Sequence, residues 1–228
     1  MSESLVKRQH FVPRTYLKHF GVLDGSEYLI YVLSKSETDE NSIFQSKINN
    51  VALENHLYTL PGETVAQKMA IEKFYSNELE QHYDSIYKIL TDPTKTEVTN
   101  EQRELIISTV VTSDNPVIAE NNSPQRFAPF DPTNVLKLPL DSKHILMLMP
   151  ENTKGLENVV FRQNVKKPFS EIQKLTSNYS QMQNSERFMF GSKGALESYL
   201  LTKQESERPL KKGEKMADVF AKLKELGL

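Results

Sequence analysis

The chain has 228 residues, 38% of them hydrophobic and 25% charged, a balance that points to a soluble globular protein of one generous domain or two small ones. A formal net charge of -2, from Lys+Arg 28 against Asp+Glu 30, excludes a strong nonspecific hold on nucleic acid by charge alone, though local basic patches can still supply one. Cysteine is absent, which rules out a disulfide framework, a thiolate metal site and a cysteine nucleophile; with no membrane-length apolar run and no signal-peptide stretch in MSESLVKRQH, the expectation is a cytoplasmic protein without membrane contact.

In chain order, Val12-Pro13 suits a helix start, Tyr16, Leu17 and Phe20 follow at helical spacing, and Gly21 is a plausible stop. Residues 28–33 are rich in aromatic and branched side chains and predict a strand, followed by a polar loop over 34–41 and a pairing strand near 43–48. Residues 63–90 predict one long helix with Val65, Met69, Leu79, Tyr83, Ile86 and Leu90 along one face, ended by Asp92-Pro93. Thr99 with Gln102 reads as a capping box opening a shorter helix. Residues 108–112 should then turn into a strand that delivers Ser113, Asp114 and Asn115 at its end, because the residue before Pro116 is held extended. An irregular crossing is expected over 119–139, a buried strand over 144–149, a helix over 170–183, a strand over 187–190 and a helix over 193–201. The tail turns basic at Arg208, Lys211 and Lys212, after which Met216, Val219, Phe220, Leu223 and Leu226 recur as an amphipathic helix. The expected architecture is a single α+β domain over 1–203, a small mixed or antiparallel sheet packed by several helices with one of them long. Residues 204–228 form a basic linker and helical C-terminal tail.

Two dense segments stand out, HFVPRTYLKHF over residues 10–20 and TSDNPVI over 112–118. Together with ALENHLYT over 52–59, Ile71-Glu72, LPLDS over 138–142 and RFMF over 187–190, they resemble the bacterial family called domain of unknown function 4238. In similar proteins a further helical stretch separates the helix beginning near Thr99 from the TSDNP strand, whereas here Leu105-Ile106-Ile107 runs almost directly into Thr112. The resemblance indicates where a site lies rather than which reaction it runs, and it favours functional roles for His10 and for the Asp114-Asn115 corner.

Glu72 stands in heptad line with Val65, Leu79 and Ile86, so a carboxylate interrupts an apolar stripe. A carboxylate placed there needs a cation, a metal or convergent donors, since desolvation otherwise costs several kcal/mol or forces protonation. The plainer reading is a salt bridge to Arg14; the sharper one is a catalytic role. Glu80 lies on an adjacent face and is more often simply solvated. His10 at the mouth of the first helix is a candidate base or metal ligand, and the fork of Arg14 suits carboxylate or phosphate. Asp114 and Asn115 occupy a strand-to-turn corner where open sheets present functional groups, though such residues also build turns for purely local reasons.

Glu72 and Asp114 with His10 form an oxygen-rich set of the kind Mg²⁺ or Mn²⁺ accepts, with Arg14 and Lys143 available to hold phosphate. The chain contains no G-x-x-x-x-G-K-S/T, no G-x-G-x-x-G and no H-E-x-x-H, which counts against a P-loop, a dinucleotide fold and a zincin. His56, His82 and His144 stand alone in sequence and read as surface or packing residues. The function expected is a divalent-metal-assisted hydrolase with His10, Arg14, Glu72, Asp114 and Asn115 as catalytic residues, its specific form a nuclease of phage defence or a toxin system acting on nucleic acid or another phosphate-bearing substrate. The alternative is a non-catalytic binding or scaffold module whose polar cluster is structural and whose partner surface, or self-association contact, is the helix from Met216 to Leu226.

Overall fold

Short polar segments paired through their backbones open the chain, and the apolar elements close over them. In the computed structural model, which describes residues 5–112, 117–120, 134–148, 181, 185 and 187–209, strand β1 (Arg8–His10) leads into a single helical turn, α1 (Arg14–Leu17). Pro13 caps that turn, its missing N–H being one that a helix start leaves unsatisfied anyway. Strand β2 (Val22–Asp24) turns through Gly25, whose φ of 61° a side-chain-bearing residue rarely adopts, into the long strand β3 (Glu27–Ser34). Strands β4 (Phe44–Lys47) and β5 (Leu53–Asn55) follow, and β5 returns to pair with β1 in the register Gln9↔Glu54.

The long helix expected over 63–90 is present, running without a gap from Ala70 to Thr91, but its start is set off by a turn and its winding is not regular. A capping box formed by Thr64 and Gln67 opens α2 (Val65–Lys68), the chain breaks at Met69, and α3 (Ala70–Phe74) passes through a π-helical turn (Tyr75–Glu80) into α4 (Gln81–Thr91). Of the residues expected along one face, Met69, Tyr83, Ile86 and Leu90 are buried and Val65 is half-buried. The capping box at Thr99 and Gln102 holds, its two bonds at 3.0 and 3.2 Å. Helix α5 (Asn100–Thr112) then continues through residues 108–112, where a strand was expected. The branched residues there lose only a few tenths of a kcal/mol each in a helix, about what propagation of an already capped helix overrides.

Strand β6 (Ile118–Glu120) and strand β7 (Val135–Pro139) lie within or beside the stretch read as irregular; β7 also pairs with β8 (Ile145–Leu148). β8 is half-buried rather than buried, because it forms the edge of its sheet and covers one face only. Strand β9 (Phe188–Gly191) joins β3, and α6 (Lys193–Glu207) runs past residue 203, with Gln204 Nε2 donating to the Thr38 carbonyl. The helix expected over 170–183 and the tail helix from Met216 to Leu226 lie outside the described residues, apart from Gln181.

Among the described residues the strands form three antiparallel sheets, β1-β5, β2-β3-β4 with β9 on β3, and β6-β7-β8. Alternation along β3 divides the interior. Ile30 and Val32 face a core shared with Tyr16 and Leu17 of α1, Tyr83, Ile86 and Leu90 of α4, Ile106 of α5 and Leu138 of β7. Leu33 points the other way, into a smaller core made by Leu196, Tyr199 and Leu200 of α6. No helix among the described residues is long and apolar enough to cross a membrane.

Candidate functional site

Gln9 fixes the opening of the site. Its side chain is 0% exposed, its Oε1 accepts from the Tyr58 backbone N–H at 2.6 Å, and its Nε2 reaches Thr59 Oγ1 at 3.5 Å and Met69 Sδ at 3.9 Å. Strand β1 is thereby tied to the segment that enters α2 and α3. His10, the next residue, ends the strand with its Nε2 buried and without a hydrogen-bond partner. Burial, and then the charge of Arg14, hold the His10 imidazole below its usual range, while hydrogen bonding toward the Ile48 backbone works the other way. The ring is therefore neutral near physiological pH, with an acceptor nitrogen available.

Arg14, on α1, faces Glu72 on α3 and Glu80 at the end of the π turn closely enough to pull both carboxyls down. Burial outweighs that pull, and each carboxyl is held above the ordinary carboxylate range; the charge of Glu80 adds to the rise at Glu72. Glu72 is half-buried rather than sunk in the core, and the expected salt bridge from Arg14 is not formed: Arg14 Nη1 donates to Asn49 Oδ1 at 3.3 Å. Among the described residues, no hydrogen bond or ion pair engages either carboxylate.

The placing of Glu80 near Arg14 and Glu72 is not one that a regular helix gives. One extra residue in a wide turn sets the phase back by about 100°, so the eighth residue after Glu72 falls where the seventh would in an unbroken α-helix. The line expected to run from Glu72 through Leu79 thus runs through Glu80. An aromatic pair flanks the same segment, Tyr58 lying 5.0 Å from Tyr75 between ring centroids.

Asp114 and Asn115 lie outside the described residues, so their position relative to this cluster is open. Lys143 is exposed in the β7–β8 turn, where its backbone N–H donates to Asp141 Oδ1 at 2.6 Å; no contact among the described residues joins it to Arg14 or Glu72. Among the described residues no three His, Asp or Glu side chains make a group able to hold a metal ion. A shallow depression of ≈ 610 Å³ lined by Asn100, Glu101, Glu104 and Leu105 opens at the start of α5 and includes none of the candidate residues.

A second polar group went unread in the sequence. Lys18 and His19 both engage Asp84 of α4, the His19 Nε2 at 3.3 Å from Oδ1, and the His19 ring stacks on Tyr87 at 3.6 Å between centroids. Tyr87 donates to Asp141 Oδ2 at 2.5 Å, and His144 Nδ1 lies 2.8 Å from the same oxygen. His144 is therefore paired rather than alone; its D-x-x-H spacing from Asp141 was the available signal.

Fold and site together define an α+β protein that gathers an imidazole, a guanidinium and two unpaired carboxyls where β1, α1 and α3 meet. The stretch that builds this joint, residues 8–112, matches the family described as Protein of unknown function (DUF4238). Asp114, Asn115, Lys143 and the Asp141–His144 pair fall beyond the matched residues. No curated protein and no solved structure matches the chain.

Proposed function

We propose that the chain is a divalent-metal-assisted hydrolase of phosphate-bearing substrates, with nucleic acid as the substrate to test first and phage defence or a toxin system as its setting. The observation that carries this reading is the set of unsatisfied groups at one joint: a neutral His10 with a buried, partnerless Nε2, and the Glu72 and Glu80 carboxylates without hydrogen-bond or ion-pair partners among the described residues. Groups so placed cost stability, and functional sites are where such costs persist. Carboxylate oxygens are the donors that Mg²⁺ or Mn²⁺ prefers, and Glu72 with Asp114 would hold the ion, Glu80 being a further oxygen donor. Such an ion supplies charge neutralisation at a phosphoryl oxygen. His10 accepts a proton from the attacking water, and Arg14 holds the anionic group, with Asn115 and Lys143 as the remaining candidates.

The test is a thermal melt in EDTA and then in Mn²⁺, for the wild type and Glu72→Gln, followed by cleavage assays on single-stranded and duplex nucleic acid. A Mn²⁺-dependent rise in Tm that the substitution abolishes supports the reading; folded Glu72→Gln with unchanged cleavage overturns it. The second reading, a non-catalytic binding or scaffold module, is favoured by the lack of a three-ligand group among the described residues. Its partner surface or self-association contact would be the stretch Met216 to Leu226, whose sequence has an amphipathic helical pattern. Both readings place the chain in the cytoplasm, consistent with its lack of cysteine.

A further inference from the structure

The turn between β7 and β8 is built around one carboxylate. Asp141 Oδ1 accepts from the backbone N–H groups of Lys143 and His144 at 2.6 and 2.8 Å, and the His144 Nδ1 lies 3.0 and 2.8 Å from its two oxygens. The phenol of Tyr87 donates to Oδ2 from the other side, at 2.5 Å. Asp141 is 10% exposed and His144 45%, so the carboxylate is covered while the imidazole reaches solvent. Burial alone would raise the Asp141 carboxyl, but the bonds from Tyr87 and His144 more than offset it and hold the group ionised below the usual carboxylate range.

A turn-forming aspartate needs only the two backbone bonds. This one also binds Nδ1 of a histidine, which fixes the tautomer with the proton on Nδ1 and the lone pair on Nε2. Tyr87 is itself held in place by the stacked His19 ring, so the carboxylate cannot swing away from the imidazole without breaking contacts on α4. The Lys143 side chain, exposed and adjacent in sequence, offers an ammonium to an approaching anion. Close by, the Tyr83 hydroxyl is buried and partnerless, which leaves unspent polar capacity on the same side of α4.

We infer that His144, backed by Asp141 and Tyr87, is a second reactive centre, an activated imidazole whose Nε2 accepts a phosphoryl group from a small anionic donor steered by Lys143. With phosphoramidate in its zwitterionic form as donor, the Nε2 lone pair forms the N–P bond, the P–N bond of the donor breaks, and ammonia leaves with its hydrogens. The Nδ1 proton stays shared with Asp141, which offsets the positive charge created on the ring. The reactive groups of this centre, His144, Asp141 and Tyr87, are separate from His10, Arg14, Glu72 and Glu80, so the inference does not rely on the His10 cluster.

The test uses the full chain and phosphoramidate, with phosphohistidine at each position quantified over time by mass spectrometry at neutral to basic pH. His56, exposed and without a carboxylate partner among the described residues, is the internal control. His144 is expected to label about ten-fold faster than His56, and Asp141→Asn to remove that advantage without changing the His56 rate, as expected for loss of an orienting carboxylate. Tyr87→Phe lowers the advantage part of the way. Equal labelling of His144 and His56 in the wild type overturns the inference even if Asp141→Asn does not fold, and so does an unchanged rate ratio in a folded Asp141→Asn.

Discussion

Replacing Gln9 separates a buried side chain that organises the site from one that merely fills space. In Gln9→Leu the volume is nearly kept, but the Tyr58 N–H loses an acceptor at 2.6 Å in a partly buried position. An unsatisfied amide of this kind costs about 1–2 kcal/mol, the contacts at 3.5 and 3.9 Å being too long to add much. At this chain length that corresponds to a fall in Tm of about 2–8 °C. Gln9→Glu gives the sharper result. Its acid form keeps an acceptor oxygen, whereas its ionised form places a charge in a position that is 0% exposed. The folded pKa therefore rises above the unfolded value, so stability is intact below the unfolded pKa near about 4.3 and is lost as pH climbs toward the folded value. If the group stays protonated at pH 7, the penalty approaches about 3.7 kcal/mol, a fall in Tm of about 7–15 °C relative to wild type, against almost none at pH 4. Paired thermal melts across pH 4 to 8 measure the difference directly. A Gln9→Glu protein that tracks wild type at every pH would refute the reasoning, because position 9 would then be solvated.

Glu72→Gln is expected to leave Tm unchanged or raise it by a few degrees at pH 7, since a carboxyl whose folded pKa is raised favours the fold below its unfolded pKa and weakens it above; a drop of several degrees would show a stabilising partner instead. Asp84 and Asp141 are held low by their partners despite burial, so their contribution is present at neutral pH and disappears as pH falls through their folded values; Asp141→Asn should flatten the acid side of a stability curve. Asp84→Asn, at a 43% exposed side chain, should cost under about 1 kcal/mol, and urea titration of the variant checks this. Ile86→Ala, in the main core, should cost about 2–5 kcal/mol by the same titration, and a smaller loss would mean that the α4 face packs loosely.

The elements legible in the sequence were those whose side chains alone carry the pattern. β3 and β9 show branched or aromatic runs, and the expectations over 187–190 and 193–201 lie close to β9 and the start of α6. β1 and β5 were missed because RQH and LEN have no apolar alternation; their pairing is a backbone event fixed by a distant partner. β7 was submerged in a proline-bearing stretch, and α5 outran a strand expectation that rested on branched residues. His10 and Arg14 draw attention through a dense motif and Glu72 through a break in periodicity, and Arg14 does lie near Glu72. Glu80 was discounted because periodic reasoning assumes a constant number of residues per turn. The Asp84–His19 and Tyr87–Asp141 contacts join positions far apart in sequence, which no local pattern announces.

The wide turn at Tyr75–Glu80 also governs how relatives of this chain should be compared. A homologue whose helix is wound regularly across the same stretch reaches the same spatial line one residue sooner, so its counterpart of Glu80 is the amino acid a gapless alignment would set beside Leu79. Comparative reading of this segment must therefore open a single-residue gap between Glu72 and Tyr83, or it will score the wrong column as variable.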